Sequence, residues 1–229
     1  MSQTRRNILV GGAAAAATAG IATYALWPAP PAPPPPLPQL TQAAQAQAPA
    51  PASNAADPRL AERSAGRANA PLTVFEFFSL TCGHCANFHI NTWPRVKAEL
   101  VDTGRIRMVF MDFPLDEIAL RAAMVARALP AERYEPFIST LFQTQNRWAF
   151  AQGTQIEELA RMAALAGMGR EMFDATIRDA ALQTGILEAR LAAQNRHQIR
   201  ATPSFVFGTR LVSGAISFDD FRTHVERGA

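Results

Sequence analysis

Seven residues, Leu72-Thr73-Val74-Phe75-Glu76-Phe77-Phe78, followed closely by Cys82-Gly83-His84-Cys85, constrain this chain more than any other stretch. The first run is nearly all apolar and rich in β-branched and aromatic residues, so it predicts a strand covered on both faces, with Glu76 as its anomaly. Cys82 and Cys85 are the only cysteines in 229 residues, which excludes a disulfide-stapled miniprotein and directs attention to the chemistry of this one pair. Where a strand hands over to a helix, the unpaired N–H groups of the first turn and the macrodipole favour an anion. Cys82 is therefore expected to ionise more readily than a free cysteine at about pKa 8.5 and to act as the nucleophile. Cys85, one turn later and less exposed, can reach back to form the intramolecular disulfide and release a substrate. His84 between them adds an imidazole that can stabilise the thiolate and make the disulfide more oxidising. A mixed zinc site recruiting His84, His89, His197 or His224, or an inert buried thiol pair, is the competing reading. The strand-to-helix context favours redox chemistry, with no metal.

Charge divides the chain. Residues 1–57 carry only Arg5, Arg6 and Asp57. From Ile8 to Trp27 no charge occurs, and at about 1.5 Å per residue this run spans the roughly 30 Å of bilayer hydrocarbon, with Arg5 and Arg6 left on the cytoplasmic side. Residues 1–27 are accordingly expected to be a signal or membrane anchor. Thr4-Arg5-Arg6-Asn7-Ile8-Leu9 resembles a twin-arginine export signal, although the general secretory route also begins with basic residues. The small-x-small triplets Ala17-Thr18-Ala19 and Ala44-Gln45-Ala46 lie inside the apolar run and far beyond it, so an uncleaved anchor is favoured. Residues 28–58 hold 11 of the 17 prolines, interleaved with Ala and Gln, and read as an extended linker. One domain of ordinary size remains, residues 59–229. Its net charge is small, the whole chain summing to +3 with no basic run longer than two, which excludes nucleic acid as a partner.

Within the domain, a helix is expected from Cys82 to about Val101, interrupted at Pro94 and closed by Gly104. Arg105 to Asp112 reads as a second strand, completing a βαβ unit. Between about 116 and 197 apolar residues recur at helical spacing, as a helical insertion would show, including a helix capped by Thr154 with Glu157. Pro203–Phe207 and Arg210–Ser213 flank Gly208-Thr209 as a hairpin, and Ser217 with Asp220 opens a last helix facing Phe218, Phe221 and Val225 inward. The order is βαβ, helical insertion, ββα, an α/β class. His89, Trp93 and Trp148 read as helix-face packing, and His197 and His224 as surface residues.

Val74-Phe75-Glu76-Phe77-Phe78 with Cys82-Gly83-His84-Cys85, Asp112-Phe113-Pro114-Leu115-Asp116, and Ala201-Thr202-Pro203-Ser204-Phe205 together resemble the DsbA family of thioredoxin-fold oxidoreductases, in particular its alphaproteobacterial members. The likeness covers most of residues 66–228 with the motifs in order. It implies a thioredoxin fold with an inserted helical domain, Cys82 as nucleophile, Cys85 as resolving thiol and His84 as the residue tuning the potential. It also implies a cis-proline at Thr202-Pro203 against the active-site cysteines, where an extended substrate pairs with backbone. Glu76 matches a buried acid beneath the cysteines. A carboxylate in so apolar a strand is costly to keep charged, which suits a proton shuttle for Cys85. The lesser alternatives are a trans proline starting an edge strand at Pro203 and a partly exposed strand residue at Glu76. The chain departs from several relatives in lacking a second cysteine pair near Leu129 and Thr176, and in having Gly-His where Pro-His is common.

These readings lead to an expected activity: a periplasmic thiol:disulfide oxidoreductase, held at the inner membrane by its N-terminal segment. It would donate a disulfide to reduced exported polypeptides and be reoxidised by a quinone-linked membrane protein of the DsbB type, with no cofactor. An isomerase or a reductase serving cytochrome or copper-site maturation is the alternative, and a Cu(I)-binding module a further one.

Overall fold

The computed structural model describes residues 57–228, so the expected anchor over 1–27 and all but the last two residues of the expected linker over 28–58 lie outside the described residues. Pro58–Leu60 makes a 3-10 turn capped by Asp57, and β1 (Arg63–Ala65) follows. β2 (Leu72–Phe78) is buried except at Thr73 and Phe75, which are half-buried. α1 (Gly83–Asn91) and α2 (Trp93–Val96) form one helical path that breaks at Thr92. The break falls ahead of Pro94, which sits in the first turn of α2, where a missing N–H is tolerated. A π-helical turn, Lys97–Val101, continues the path to Gly104, whose φ of +79° reverses the chain. β3 (Ile106–Asp112) then pairs with β2 in parallel, from Leu72 opposite Ile106 to Phe78 opposite Asp112.

Six helices follow: α3 (Glu117–Ala128), α4 (Ala131–Gln143), α5 (Gln145–Trp148), α6 (Gln155–Leu165), α7 (Arg170–Thr176) and α8 (Ala180–His197). β4 (Ser204–Phe207) and β5 (Arg210–Ser213) form the hairpin, with Gly208 supplying a positive φ of +63° at its turn. α9 (Phe218–Gly228) closes the fold. Among the described residues the strands form one five-stranded sheet in the order β1-β3-β2-β4-β5, in which every pairing except β2–β3 is antiparallel. This is the thioredoxin fold with an inserted helical domain.

Strand periodicity assigns the two faces of β2. Val74 and Phe78 enter the main core with Phe88, Trp93, Phe205 and Phe221, while Phe77 packs on the opposite face with Phe113, Ala193 and Val206. Glu76, two residues from Val74 and from Phe78, therefore points into the main core.

Three details differ from the sequence reading. β1 has no strand signal in Arg63-Ser64-Ala65, and it forms because Arg63 is tied down: its Nη2 donates to the Arg127 carbonyl at 3.2 Å while Ser64 pairs opposite Val109. The capping box at Thr154 is absent, since the Thr154 hydroxyl donates back to the Ala151 carbonyl and Glu157 is drawn to Arg170. His197 and His224 are half-buried ring contacts, His197 5.4 Å from Phe77 and His224 stacked 5.2 Å from Phe207. By contrast Ser217 does cap the last helix, the Asp220 N–H donating to Ser217 Oγ at 3.2 Å while the Ser217 hydroxyl donates to the Asp220 carboxylate at 2.7 Å.

A buried charge cluster joins the sheet to the insertion. Asp112, at the end of β3, accepts from the Arg127 guanidinium on α3 and, at 2.9 Å, from the Tyr134 hydroxyl on α4. Arg127 also donates to the carbonyls of Arg59 and Ala61, which anchors the segment preceding β1. Asp112→Ala would leave the buried guanidiniums of Arg63 and Arg127 without their anion, so a loss of about 3–5 kcal/mol is expected in equilibrium denaturation. Ser217→Ala, which removes only a helix cap, should cost about 1 kcal/mol in the same measurement.

Candidate active site

The loop between β2 and α1 is short and tied from two sides. The Cys82 N–H donates to the Ser79 carbonyl at 3.1 Å, closing a turn. The Thr81 hydroxyl donates to the Asp116 carboxylate, whose other oxygen caps α3 by accepting from the Ala119 N–H at 2.7 Å. The Leu115 N–H reaches Ser79 Oγ at 3.3 Å. From the inserted domain, buried Gln145 donates its side-chain amide to the carbonyls of Leu80 at 2.8 Å and Cys82 at 3.1 Å. The active-site backbone is thus gripped by the segment following β3 and by α5 together.

Cys82 occupies the N-cap of α1 with extended backbone (φ −80°, ψ 118°), and its carbonyl accepts the first helical bond, from Ala86, at 3.1 Å. Both cysteines are free thiols here, Cys82 half-buried and Cys85 fully buried. Hydrogen bonding from the Cys85 thiol, opposed by burial and joined by Thr202 and the backbone N–H groups of Cys85 and His84, pushes the Cys82 thiol down to about 5. Burial, then the Cys82 sulfur, pushes the Cys85 thiol far up. The two sulfurs are therefore chemically unequal: one is a thiolate at neutral pH within reach of solvent, the other a protonated thiol held in the core. The ring of His84 is exposed, and its contribution at Cys82 comes through its backbone N–H.

Thr202-Pro203 is a cis peptide bond, and the Thr202 carbonyl accepts from the Cys82 thiol at 3.3 Å. The loop is held by the Gly214 N–H donating to the Pro203 carbonyl at 2.8 Å and by Ser204 Oγ donating to Ala201 at 2.7 Å. Glu76 lies wholly buried on the active-site side of the main core, 2.9 Å from His89 Nε2. Of the sequence-predicted residues, Cys82, Cys85, Thr202 and Pro203 meet at one place, Glu76 lies within electrostatic reach of Cys85, and His84 faces outward.

Thr81 and Gln145 had no role in the sequence reading, Asp116 entered it only within a motif, and His89 was read as helix-face packing. Asp116 had a signal in its helix-capping position. Gln145 had none, because a glutamine in a helical run identifies no distant carbonyl. As for metals, among the described residues no group of three or more His, Cys, Asp or Glu side chains is placed to hold one.

A family model described as thioredoxin matches residues 59–227. A Rickettsia felis protein provisionally named a protein-disulfide oxidoreductase is 29% identical over 164 residues, covering 71% of this chain and 58% of its own length. The chain thus spans about three fifths of that curated relative. The crystal structure of alpha-DsbA1 from Wolbachia pipientis superposes with a TM-score of 0.68 at 28% identity, covering 72% of this chain and 89% of that one. A protein-disulfide isomerase from Novosphingobium aromaticivorans shares the fold, with a TM-score of 0.64 at 22% identity over 72% of this chain and 96% of that one.

Titrating the thiolate absorbance of the reduced protein should show Cys82 half-ionised at about pH 5, and Cys82→Ser should remove that transition. Because the unfolded thiol titrates at about 8.5, the stabilisation carried by the folded thiolate is fully present above that pH. It is lost as pH falls through the window down to about 5. The reduced form should accordingly lose stability relative to the disulfide form on acidification, as thermal melts of both forms across that window would record.

Proposed function

Because the chain belongs to the thioredoxin family, among its DsbA-like members, we propose that it is a thiol:disulfide oxidoreductase that donates the Cys82–Cys85 disulfide to reduced polypeptides exported to the periplasm. The inequality of the two sulfurs carries this reading. A client thiolate attacks Cys82, the accessible sulfur, and Cys85 departs as the leaving group. A second client thiol then attacks the mixed disulfide and expels Cys82, whose thiolate leaves readily because the first turn of α1 and the Cys85 thiol stabilise it. A site that stabilises its reduced form in this way is an oxidant, since the dithiol product lies low in free energy.

The client approaches the loop at Thr202-Pro203, whose backbone beside Cys82 offers an extended peptide its hydrogen-bonding groups. The charge-free run after Arg5 and Arg6 supports a periplasmic site tethered to the inner membrane, and a quinone-linked membrane oxidase of the DsbB type restores the disulfide.

Equilibration of the full chain with glutathione should give a potential between about −180 and −120 mV. A value near about −270 mV would instead make the protein a reductase fed by a membrane electron donor. Cys82→Ser should abolish oxidation of a reduced client, while Cys85→Ser should accumulate client mixed disulfides visible on non-reducing gels. Wild-type oxidation rates in Cys82→Ser would overturn the mechanism.

A further inference from the structure

A cleft of about 560 Å³ lies where the segment entering β1 meets the start of α4 and the turn between α6 and α7. Four arginines line it, Arg59, Arg63, Arg127 and Arg133, and no Asp or Glu does. Two of them are already matched, since Arg59 pairs with Asp57 and Asp179, and Arg127 with Asp112. The other two, Arg63 and Arg133, meet only backbone carbonyls among the described residues.

Arg63 is the costly one. It is 7% exposed, its Nη2 donates to the Arg127 carbonyl at 3.2 Å, and its Nη1 only touches the Ala61 carbonyl at 3.5 Å. Its Nε is buried without a hydrogen-bond partner among the described residues. Asp112 acts on it only through space, because the two carboxylate oxygens are taken by Arg127 and Tyr134. Burial first and the Arg127 charge next push the Arg63 guanidinium down, so the fold holds a cation where it is poorly solvated. Anchoring β1 accounts for Nη2 alone, and a neutral donor would serve that bond without the desolvation cost.

Arg133 reaches the cleft from the exposed side. Its Nη1 donates to the Ala166 carbonyl at 2.8 Å and would lie 2.5 Å from a Cβ at position 167, so the path it takes requires Gly167. The rest of the lining is apolar: Leu129 and Met168 are buried, and Met172 is 49% exposed.

We propose that this cleft binds a small organic acid, its carboxylate held by Arg63 and Arg133 and its apolar body lying against Leu129, Met168 and Met172. The volume falls within the range of small-molecule sites, about 300–1,000 Å³. A planar guanidinium fork with an unmatched charge fits a carboxylate in both shape and charge. A phosphate dianion would need the donors that Arg59 and Arg127 already commit to carboxylates of their own. None of these residues belongs to the Cys82 site, so the inference stands apart from the redox reading.

The full chain labelled with carbon-13 in its methionine methyl groups reports binding by NMR, because Met168 and Met172 line the cleft while Met124 is buried between α3 and α8. The probe is 4-phenylbutyrate. It should shift the Met168 and Met172 methyl resonances saturably, with half-saturation near about 1 mM, and leave that of Met124 in place. The neutral analogue 4-phenylbutanamide should bind about tenfold more weakly or worse, and Arg133→Gln, an exposed substitution, should weaken the acid to the same degree. Arg63→Gln should do so as well, and where that variant does not fold, the amide and Arg133→Gln comparisons decide. Equal binding of acid and amide would reduce the cleft to an apolar slot, and equal shifts from inorganic phosphate would reduce it to a bare anion contact. Either result overturns the proposal, as does the absence of any saturable shift up to about 10 mM.

Discussion

Everything chemical in this protein depends on a sulfur at the start of a helix. Cys82 stands where the first turn of α1 presents unpaired N–H groups, so negative charge on its Sγ is met by fixed dipoles that need no rearrangement. The Cys85 thiol, held one turn inward, adds a donor that exists only while the pair is reduced. Together they lower the free energy of the dithiol state, which is the physical basis of the disulfide-donor role proposed for the pair.

That arrangement requires the helix start to stay in place, and the fold supplies restraints from three directions. The segment after β3 ties Ser79 and Thr81, Gln145 holds the carbonyls of Leu80 and Cys82 from the inserted domain, and the Thr202 carbonyl closes over the sulfur. Asp112 and Asp116, the two acids of one short stretch, serve different ends. Asp112 fastens α3, α4 and the segment before β1 to the sheet, and Asp116 couples the cap of α3 to the active-site loop. The helical insertion is therefore part of the catalytic scaffold.

Two polar clusters among the described residues are buried in the core. The Asp112 cluster is hydrogen-bonded through both carboxylate oxygens, as a structural device should be. The Glu76–His89 pair, joined at 2.9 Å, keeps one buried atom on each partner without a hydrogen bond among the described residues.

Local chemistry made much of this legible in the chain itself. The composition of Leu72–Phe78 demanded a doubly covered strand, Cys82 and Cys85 marked a helix start, Gly208-Thr209 a hairpin, and Ser217 with Asp220 a cap, because each depends on neighbours within a few residues. β1 depends on the Arg63 guanidinium reaching the Arg127 carbonyl across the fold, the Thr154 cap was lost to a competing pull from Arg170, and the partners of Gln145 and His89 lie on other elements. The sequence by itself determined the order of elements and which sulfur stands at the helix start, since periodicity and the strand-to-helix handover are local. Only the tertiary structure decided which distant carbonyls, carboxylates and rings surround that sulfur, because those contacts exist only once the sheet and the insertion have packed together.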